Sequence, residues 1–499
     1  MKNTIRILIS LSIFLFLSCH QNIDSNRHPI SERRAVIESD SGLSVIDADN
    51  AEVPLAQILI GQKLGEPFAN NFLATDEHGQ LKIPTEWTSE QSISIVASGF
   101  VPVSFLHTAP GSHIFKLRKK ILKNTLEYSG ATAGYPPFDD RSIAHVSLVF
   151  EALQRANVWD FSLAQLLSPD ADHLSVLGND VSLPSNLAVP NQTVSYIISI
   201  NISKPIFRIP LQAGTDHLMM GLQARFPVTD LVRGIRAKKS IFDMINIFEF
   251  ASFTAEDLRI DKVAVYRDMN ISQNPIALKA KLKAPKFDPS LVMIAMSALE
   301  KNQSLIALDI KTSASEGRID LNTLTSTHQS EKYLTILKVK ATAESAIGAD
   351  QEFMSLALHD ASLRVLPPQF EILAAPTASM SQIAQKLPAG AHSNIVESGM
   401  YFALSDVSSD ANSGVNIENK NPIWEVFNPI WETQSLLPEV PKSFVDSLAD
   451  TLVNTHVAAN ITQRWSIAVL GSDQKPSSDL GPDRLKEAQF ISRTAVDLK

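Results

Sequence analysis

The chain has 499 residues, a formal net charge of −9, 44% apolar and 19% charged residues, and a single cysteine. An acidic balance argues against nucleic acid or another polyanion as the main partner. One thiol rules out a disulfide within the chain and thiolate metal clusters, so stability has to come from buried cores, and the length suggests about three or four domains.

In chain order, Lys2 and Arg6 give a short basic start, Ile7 to Leu17 is an apolar run, and Ser18 and Cys19 follow it. The run has the length of a signal-peptide core and is too short for a comfortable membrane-spanning helix of about 20 residues. Phe16-Leu17-Ser18-Cys19 resembles a bacterial lipobox, with Phe16 standing where leucine is usual. The resemblance implies cleavage after Ser18, lipid on Cys19 and attachment to a membrane. Two or three acyl chains, at about 0.8 kcal/mol per buried methylene, make such an anchor stable. His20 in place of aspartate after the cysteine resembles the sorting signal for the outer membrane. Cleavage removes Lys2 and Arg6 and no acid, which takes the net charge from −9 to −11.

Residues 19–42 are polar and without period, and read as a flexible tether reaching about 25–30 Å on average. From Leu43 to Leu117 short apolar strands alternate with turns at Gly61 to Gly65, Asp76 to Gly79 and Gly111. Val45-Ile46-Asp47, Pro54-Leu55-Ala56, Ala74-Thr75-Asp76-Glu77-His78-Gly79 and Ser98-Gly99-Phe100 together resemble the carboxypeptidase regulatory-like, transthyretin-like β-sandwich modules. That resemblance covers 43–120 and implies a structural or adhesive accessory with no reaction of its own. In the hairpin, Asp76 is expected to bond its own turn and Gly79 to supply a positive φ. Where the modules have a glycine between the first strands, this chain has Asp49-Asn50-Ala51-Glu52.

Arg118 to Lys123 is a basic run that reads as a solvated joint at the start of a linker, 121–142. A β-rich domain with a short helical insert is expected over 143–270. Its strands fall at Tyr196 to Ser203, Ile206 to Leu211, His217 to Phe226 and Asp261 to Asp268. The insert is a helix over Val228 to Arg236 and a turn-rich run, Ile241 to Phe248, with one apolar face. A C-terminal β-rich region of one or two sandwiches follows over 271–499. There Leu278, Ala280 and Leu282 alternate with Lys279, Lys281 and Lys283, a lysine comb of the kind that protects an edge strand. Further strands are expected at Leu291 to Leu299, Leu305 to Thr312, Leu334 to Thr342, Phe353 to Leu358, Phe370 to Ala374, Gly399 to Leu404 and Ser466 to Leu470, with a helix at Ser443 to Val457.

Asn421-Pro422-Ile423-Trp424-Glu425 recurs as Asn428-Pro429-Ile430-Trp431-Glu432. Paired indoles on a loop can stack on sugars or fill a partner's pocket, so Trp424 and Trp431 are the candidate recognition residues. The competing assignment makes both of them core anchors. Asp139, Asp140, Asp170, Asp172, His173 and Asp180 match no ligand spacing and read as solvated loops. No nucleophile elbow, Walker loop or dinucleotide fingerprint occurs, so no catalytic, cofactor or metal residue is assigned.

The expectation is therefore a mainly β chain of tandem sandwiches, Ig-like or transthyretin-like, with a few short helices. It is held by lipid on Cys19 at the outer membrane and acts as a non-catalytic binding or structural module toward an envelope protein or glycan, with no nucleic acid and no cofactor. The alternative is an envelope hydrolase whose active site lies after Ser142.

Overall fold

The computed structural model describes residues 42–47, 50–120, 125–134, 143–154, 171–176, 179–184, 186–189, 192–199, 206–237, 242–271, 274–275, 278–284, 286–324, 330–339, 353–361, 371–388, 395–409, 418–440, 461–473, 485 and 487–498. It is mainly β, as the alternation of the sequence requires, with an α-helix at Val228–Arg236 and a 3₁₀ turn at Phe242–Ile247.

The first seven strands are β1 (Gly42–Asp47), β2 (Gln57–Ile60), β3 (Phe72–Ala74), β4 (Gln80–Lys82), β5 (Gln91–Val96), β6 (Val103–Thr108) and β7 (His113–Leu117). In β1 every second residue is buried, the period-two signature of a strand with one face on a core. Strands β4, β1 and β7 form a small sheet. Its Leu43, Val45, Phe115 and Leu117 share one apolar cluster with Ile58, Ile60, Ile93, Ile95, Val103 and Phe105 of β2, β5 and β6. Two facing sheets around one core make this segment a sandwich.

The turns follow from residue chemistry. Asp76 Oδ1 accepts from the amides of His78 and Gln80 at 2.9 and 2.8 Å, and Gly79 has φ +69°. The Gln80 amide, first among several contacts, holds the exposed Asp76 carboxyl below its usual range. At the turn that follows β1, Asn50 takes φ +61°, and the Ala51 amide donates to Asp47 Oδ1 at 2.8 Å. Asparagine is among the few side chains that enter the left-handed region readily.

The sandwich does not end at its own edge. A 13-stranded sheet runs from β3 through β2, β5 and β6 into Glu418–Asn428, Glu397–Ser409, Ile461–Ser472, Phe490–Asp497, Met354–Asp360, Glu331–Val339, Leu291–Lys301 and Ser304–Ser313, ending at Leu153–Gln154. The β6 junction is parallel, with Val103, Ser104 and Phe105 opposite Glu425, Val426 and Phe427. Two other pairs of layers repeat the sandwich plan. A six-stranded sheet containing Ile143–Glu151, Thr215–Pro227 and Glu249–Ile260 shares a core with Thr125–Ala133 and Ile206–Gln212 through Val149, Met219, Ile260, Tyr128, Phe207 and Ile209. The antiparallel pair of Leu278–Ala284 with Gly317–Thr323 packs Leu282, Ile319 and Leu321 on Met293, Ala295 and Tyr333 of the long sheet.

Several expectations change. Asp261 to Asp268 is not one strand: a bend follows Ile260 and only Val265–Tyr266 pairs, in parallel with Tyr128 and Ser129. Residues 371–376 carry no strand. Pro376 has no N–H to give to a ladder, and the Glu371 and Ala374 carbonyls instead accept from Ser492 Oγ at 2.7 Å and Gln385 Nε2 at 3.0 Å. Asp172, His173 and Asp180 are not in loops, because Ala171–Val176 and Asn179–Pro184 form an antiparallel hairpin. Lys281 and Lys283 are exposed on Leu278–Ala284, which pairs only with Gly317–Thr323 among the described residues, so the comb does lie on an edge strand. The helix expected at Ser443 to Val457, and Asp139, Asp140 and Asp170, lie outside the described residues.

Candidate functional site

The repeated pentapeptide is where the first sandwich meets the C-terminal strands. Its first copy lies inside Glu418–Asn428, whose pairing with Glu397–Ser409 shifts register between Leu404, opposite Trp424, and Ser405, opposite Pro422. The extra residue, Ile423, makes a bulge, which is where a proline without an N–H fits in an interior strand. Trp424 is 1% exposed, packs at 5.7 Å from Trp465, and donates its indole N–H to Ser104 Oγ at 2.9 Å. Its face is therefore not offered to a ligand, which corrects the recognition role expected for it: this ring is a core anchor. Trp431, in the second copy, is half-buried against the same cluster and donates to the Leu470 carbonyl at 3.1 Å. The two indoles do not form an exposed pair.

The two glutamates of the repeat were missed at the sequence level, although the only signal needed was that Trp-Glu occurs twice. Glu425 is 1% exposed, accepts from Tyr401 Oη at 2.9 Å, and lies 3.2 Å from Arg118 Nε. Arg118 is thus an ion-pair partner of a buried acid, which docks the first residue of the basic run, while Lys119, 2.8 Å from Asp47, stays exposed. Glu432 lies 3.1 Å from His107 Nε2 and accepts from Asn428 Nδ2 at 2.7 Å. Each copy therefore ends in a glutamate that reaches back to the β6–β7 region.

His107 marks the site. It has φ +51°, a strained conformation for a histidine, at the irregular end of β6 where the register with β5 shifts. Two clefts share it and Leu106 as a wall. One, of about 290 Å³, is a crevice lined by Phe105, Met400, Phe427, Pro429, Leu470 and Ala488 with His113, Glu397 and Glu487 among its polar groups. The other, of about 270 Å³, is lined by Gln62, Glu90, Gln91, Ser92, Glu432, Gln434 and Leu436. Phe105 and Phe427 stack at 5.6 Å and 15° across the β6 junction, so the crevice wall is built by both the first sandwich and the C-terminal strands. Gly399 is needed there, because a Cβ at that position would lie 2.8 Å from the Asn428 carbonyl oxygen.

A third, more polar cleft of about 470 Å³ is lined by Arg225, Asn246, Glu249, Asp309, Lys311 and Asn322. Asp309 is 1% exposed, and burial pushes its carboxyl up to about 6 against the opposing pull of Lys311, 3.6 Å away, and of the Asn322 and Ile310 amides. Lys311 donates to the Phe248 carbonyl at 2.7 Å, and Asn322 Nδ2 to that of Phe250 at 2.9 Å. No serine, cysteine or histidine is among the residues lining this cleft. Among the described residues no group of three or more His, Cys, Asp or Glu side chains is placed to hold a metal ion. Cys19 lies outside them.

No protein-family model matches the chain. No curated protein matches it. Among solved structures the chain is similar to BcpA, the major pilin subunit of Bacillus cereus, at 7% identity and a TM-score of 0.15 over 66% of this chain and 98% of that one. It is also similar to an adhesin candidate from Bacteroides ovatus, at 8% identity and a TM-score of 0.13 over 49% of this chain and 91% of that one. Likeness this slight bears on neither the fold nor the function of this chain.

Proposed function

We propose that this protein is a cell-envelope lipoprotein, anchored in the outer membrane by lipid on Cys19, that works as a non-catalytic binding module. The observation that carries the binding role is the crevice beside His107, where β6 pairs with the strand 418–428 and joins the first sandwich to the C-terminal sheet. An apolar concavity with a few convergent polar groups is the usual form of a small-ligand site. The lipobox-like Ser18-Cys19 after an apolar run supports the anchor. Among the described residues no helix is long and apolar enough to cross a membrane.

Metabolic labelling with a fatty acid tests the anchor. Label should enter the wild-type chain and not Cys19→Ala, which should be released from the membrane fraction; equal labelling of both, or none, overturns the lipid claim. Crosslinking in the native envelope tests the binding role. The expected outcome is a bound envelope component whose capture fails when Met400→Trp fills the crevice.

A second reading, an envelope hydrolase with its active site after Ser142, draws on Asp309. A carboxyl near 6 suits general acid or base work. Hydrolysis of an envelope substrate that disappears in Asp309→Asn, with the fold retained, would replace the first reading with this one.

A further inference from the structure

We propose that His217 is a proton-operated latch: as an imidazolium it ties the corner Gln212–Thr215 to the end of the strand Ile143–Glu151, and when it loses its proton the corner comes free. The proposal goes beyond the binding reading above and is tested apart from it.

Three sheets meet at this point. Ile206–Gln212 lies in the layer with Thr125–Ala133, and the corner then carries the chain into Thr215–Pro227 of the six-stranded sheet. Glu151 ends a strand of that same sheet, just before Leu153–Gln154 pairs into the 13-stranded one. Gly214 turns the corner at φ +81°, and its amide donates to the Ile260 carbonyl at 2.7 Å. The Ala152 amide donates to the Leu218 carbonyl at 2.7 Å, which lays the end of Ile143–Glu151 alongside the strand that carries His217. The His217 ring is buried here.

Both nitrogens of the ring face acceptors. Nδ1 is 2.9 Å from Glu151 Oε1, and Nε2 is 2.8 Å from the Gln212 carbonyl oxygen. A carbonyl and a carboxylate can only accept, so the two contacts are made together only when both nitrogens carry hydrogen. Thr215 Oγ1 donates to the same carbonyl at 3.0 Å and lies 3.0 Å from Nε2. The spacing along Thr215, His217 and Glu151 is that of a nucleophile, a base and an acid, but with Nε2 donating to Gln212 the ring does not take the hydroxyl's proton. A neutral ring keeps a single hydrogen, and it stays with Glu151, the charged and stronger acceptor. The bare Nε2 then faces the Gln212 oxygen and draws the Thr215 hydroxyl to itself. The carbonyl loses both donors, and the corner loses its tie.

The surroundings favour the charged ring. Burial alone would pull it down, but the Glu151 carboxylate, and after it the Gln212 carbonyl and Asp216, hold it above its ordinary value of 6.5. Among the described residues, Ile143–Glu151 presents Glu151 and the ring's own strand presents Asp216. Glu249–Ile260 sets Leu258 opposite the ring, with Asp257 beside it paired to Lys301 and Arg259 paired to Asp216 and Asp261. The latch is therefore complete below about pH 6.5 and opens as pH rises through the higher value of the folded ring.

The test follows the full chain from about pH 6 to about pH 9, where a histidine of raised pKa changes charge. Deuterium uptake at the histidine C2 carbon, read by mass spectrometry, gives the titration of His217 by itself, and amide exchange across 212–218, corrected for its intrinsic rate, reads the corner. His217 should titrate above 6.5, and corner exchange should rise about tenfold or more along the same curve. Glu151→Gln leaves an acceptor in place and removes the charge, and should bring both curves down together by about one pH unit. Titration of His217 at or below 6.5, corner exchange that does not follow it, or curves that Glu151→Gln leaves where they are overturn the proposal. Where Glu151→Gln folds poorly, the agreement or disagreement of the two wild-type curves decides by itself.

Discussion

Trp424 Nε1 donates to Ser104 Oγ at 2.9 Å, a buried hydrogen bond between residues 320 positions apart. Ser104 Oγ is in turn 2.7 Å from Ser94 Oγ, so the indole closes a short chain of polar groups inside the sheet. The bond sits beside the parallel pairing of β6 with the strand 418–428, and it makes the first sandwich and the C-terminal strands one structural unit at this point.

Trp424→Ala should cost about 3–5 kcal/mol, through lost burial and a cavity against Trp465. Trp424→Phe should cost less, keeping most of the packing and losing the hydrogen bond, a net of about 1 kcal/mol plus the penalty of leaving Ser104 with one partner fewer. Urea unfolding of the two variants separates these terms.

Arg118→Met should cost about 3–5 kcal/mol, because it takes the guanidinium away from the buried carboxylate of Glu425. Adding Glu425→Gln should recover a large part of the loss. A double-mutant cycle in which the two losses simply add would show that the pair does not couple.

Gly79→Val should destabilise the chain by at least about 1 kcal/mol, since a β-branched residue is strongly disfavoured at positive φ. Its Cβ would also lie 2.6 Å from the Val45 carbonyl oxygen. Gly79→Asn should be the milder substitution, as Asn50 shows by adopting φ +61° in the same sandwich. The comparison is read from unfolding midpoints.

Asp309 should make the protein less stable as pH rises from about 4 to about 6. The carboxyl is pushed up to about 6 in the fold, against about 4 when unfolded, so the folded state holds more protons across that window. The cost at neutral pH is on the order of 3 kcal/mol for a shift of this size. Unfolding free energy measured against pH should fall through this window in the wild type, and the slope should flatten in Asp309→Asn.

The sequence by itself determined many of the strands and turns, though Thr125–Ala133 fell inside the expected linker and Ala171–Val176 inside an expected loop. Leu278–Ala284, Leu291–Lys301 and Thr215–Pro227 stand where period two or a buried apolar run placed them, and Val228–Arg236 is the helix its spacing indicated. The Asp76 to Gly79 hairpin was legible because its chemistry is local: an acid bonding amides two and four residues on, and a glycine at positive φ. Which strands pair across the chain was decided only by the tertiary structure. Nothing in β6 names 418–428 as its neighbour, since backbone pairing carries no sequence label and is selected by how many side chains fit on both faces at once. The same holds for the repeat. Two tryptophans in identical pentapeptides look equivalent on paper, yet one copy continues through a bulge in the middle of a sheet and buries its ring, while the other lies past the strand end with its ring half-covered. The crevice beside His107 has no local signature for this reason: Phe105, Gly399, Phe427 and Leu470 come together only once the 13-stranded sheet has formed.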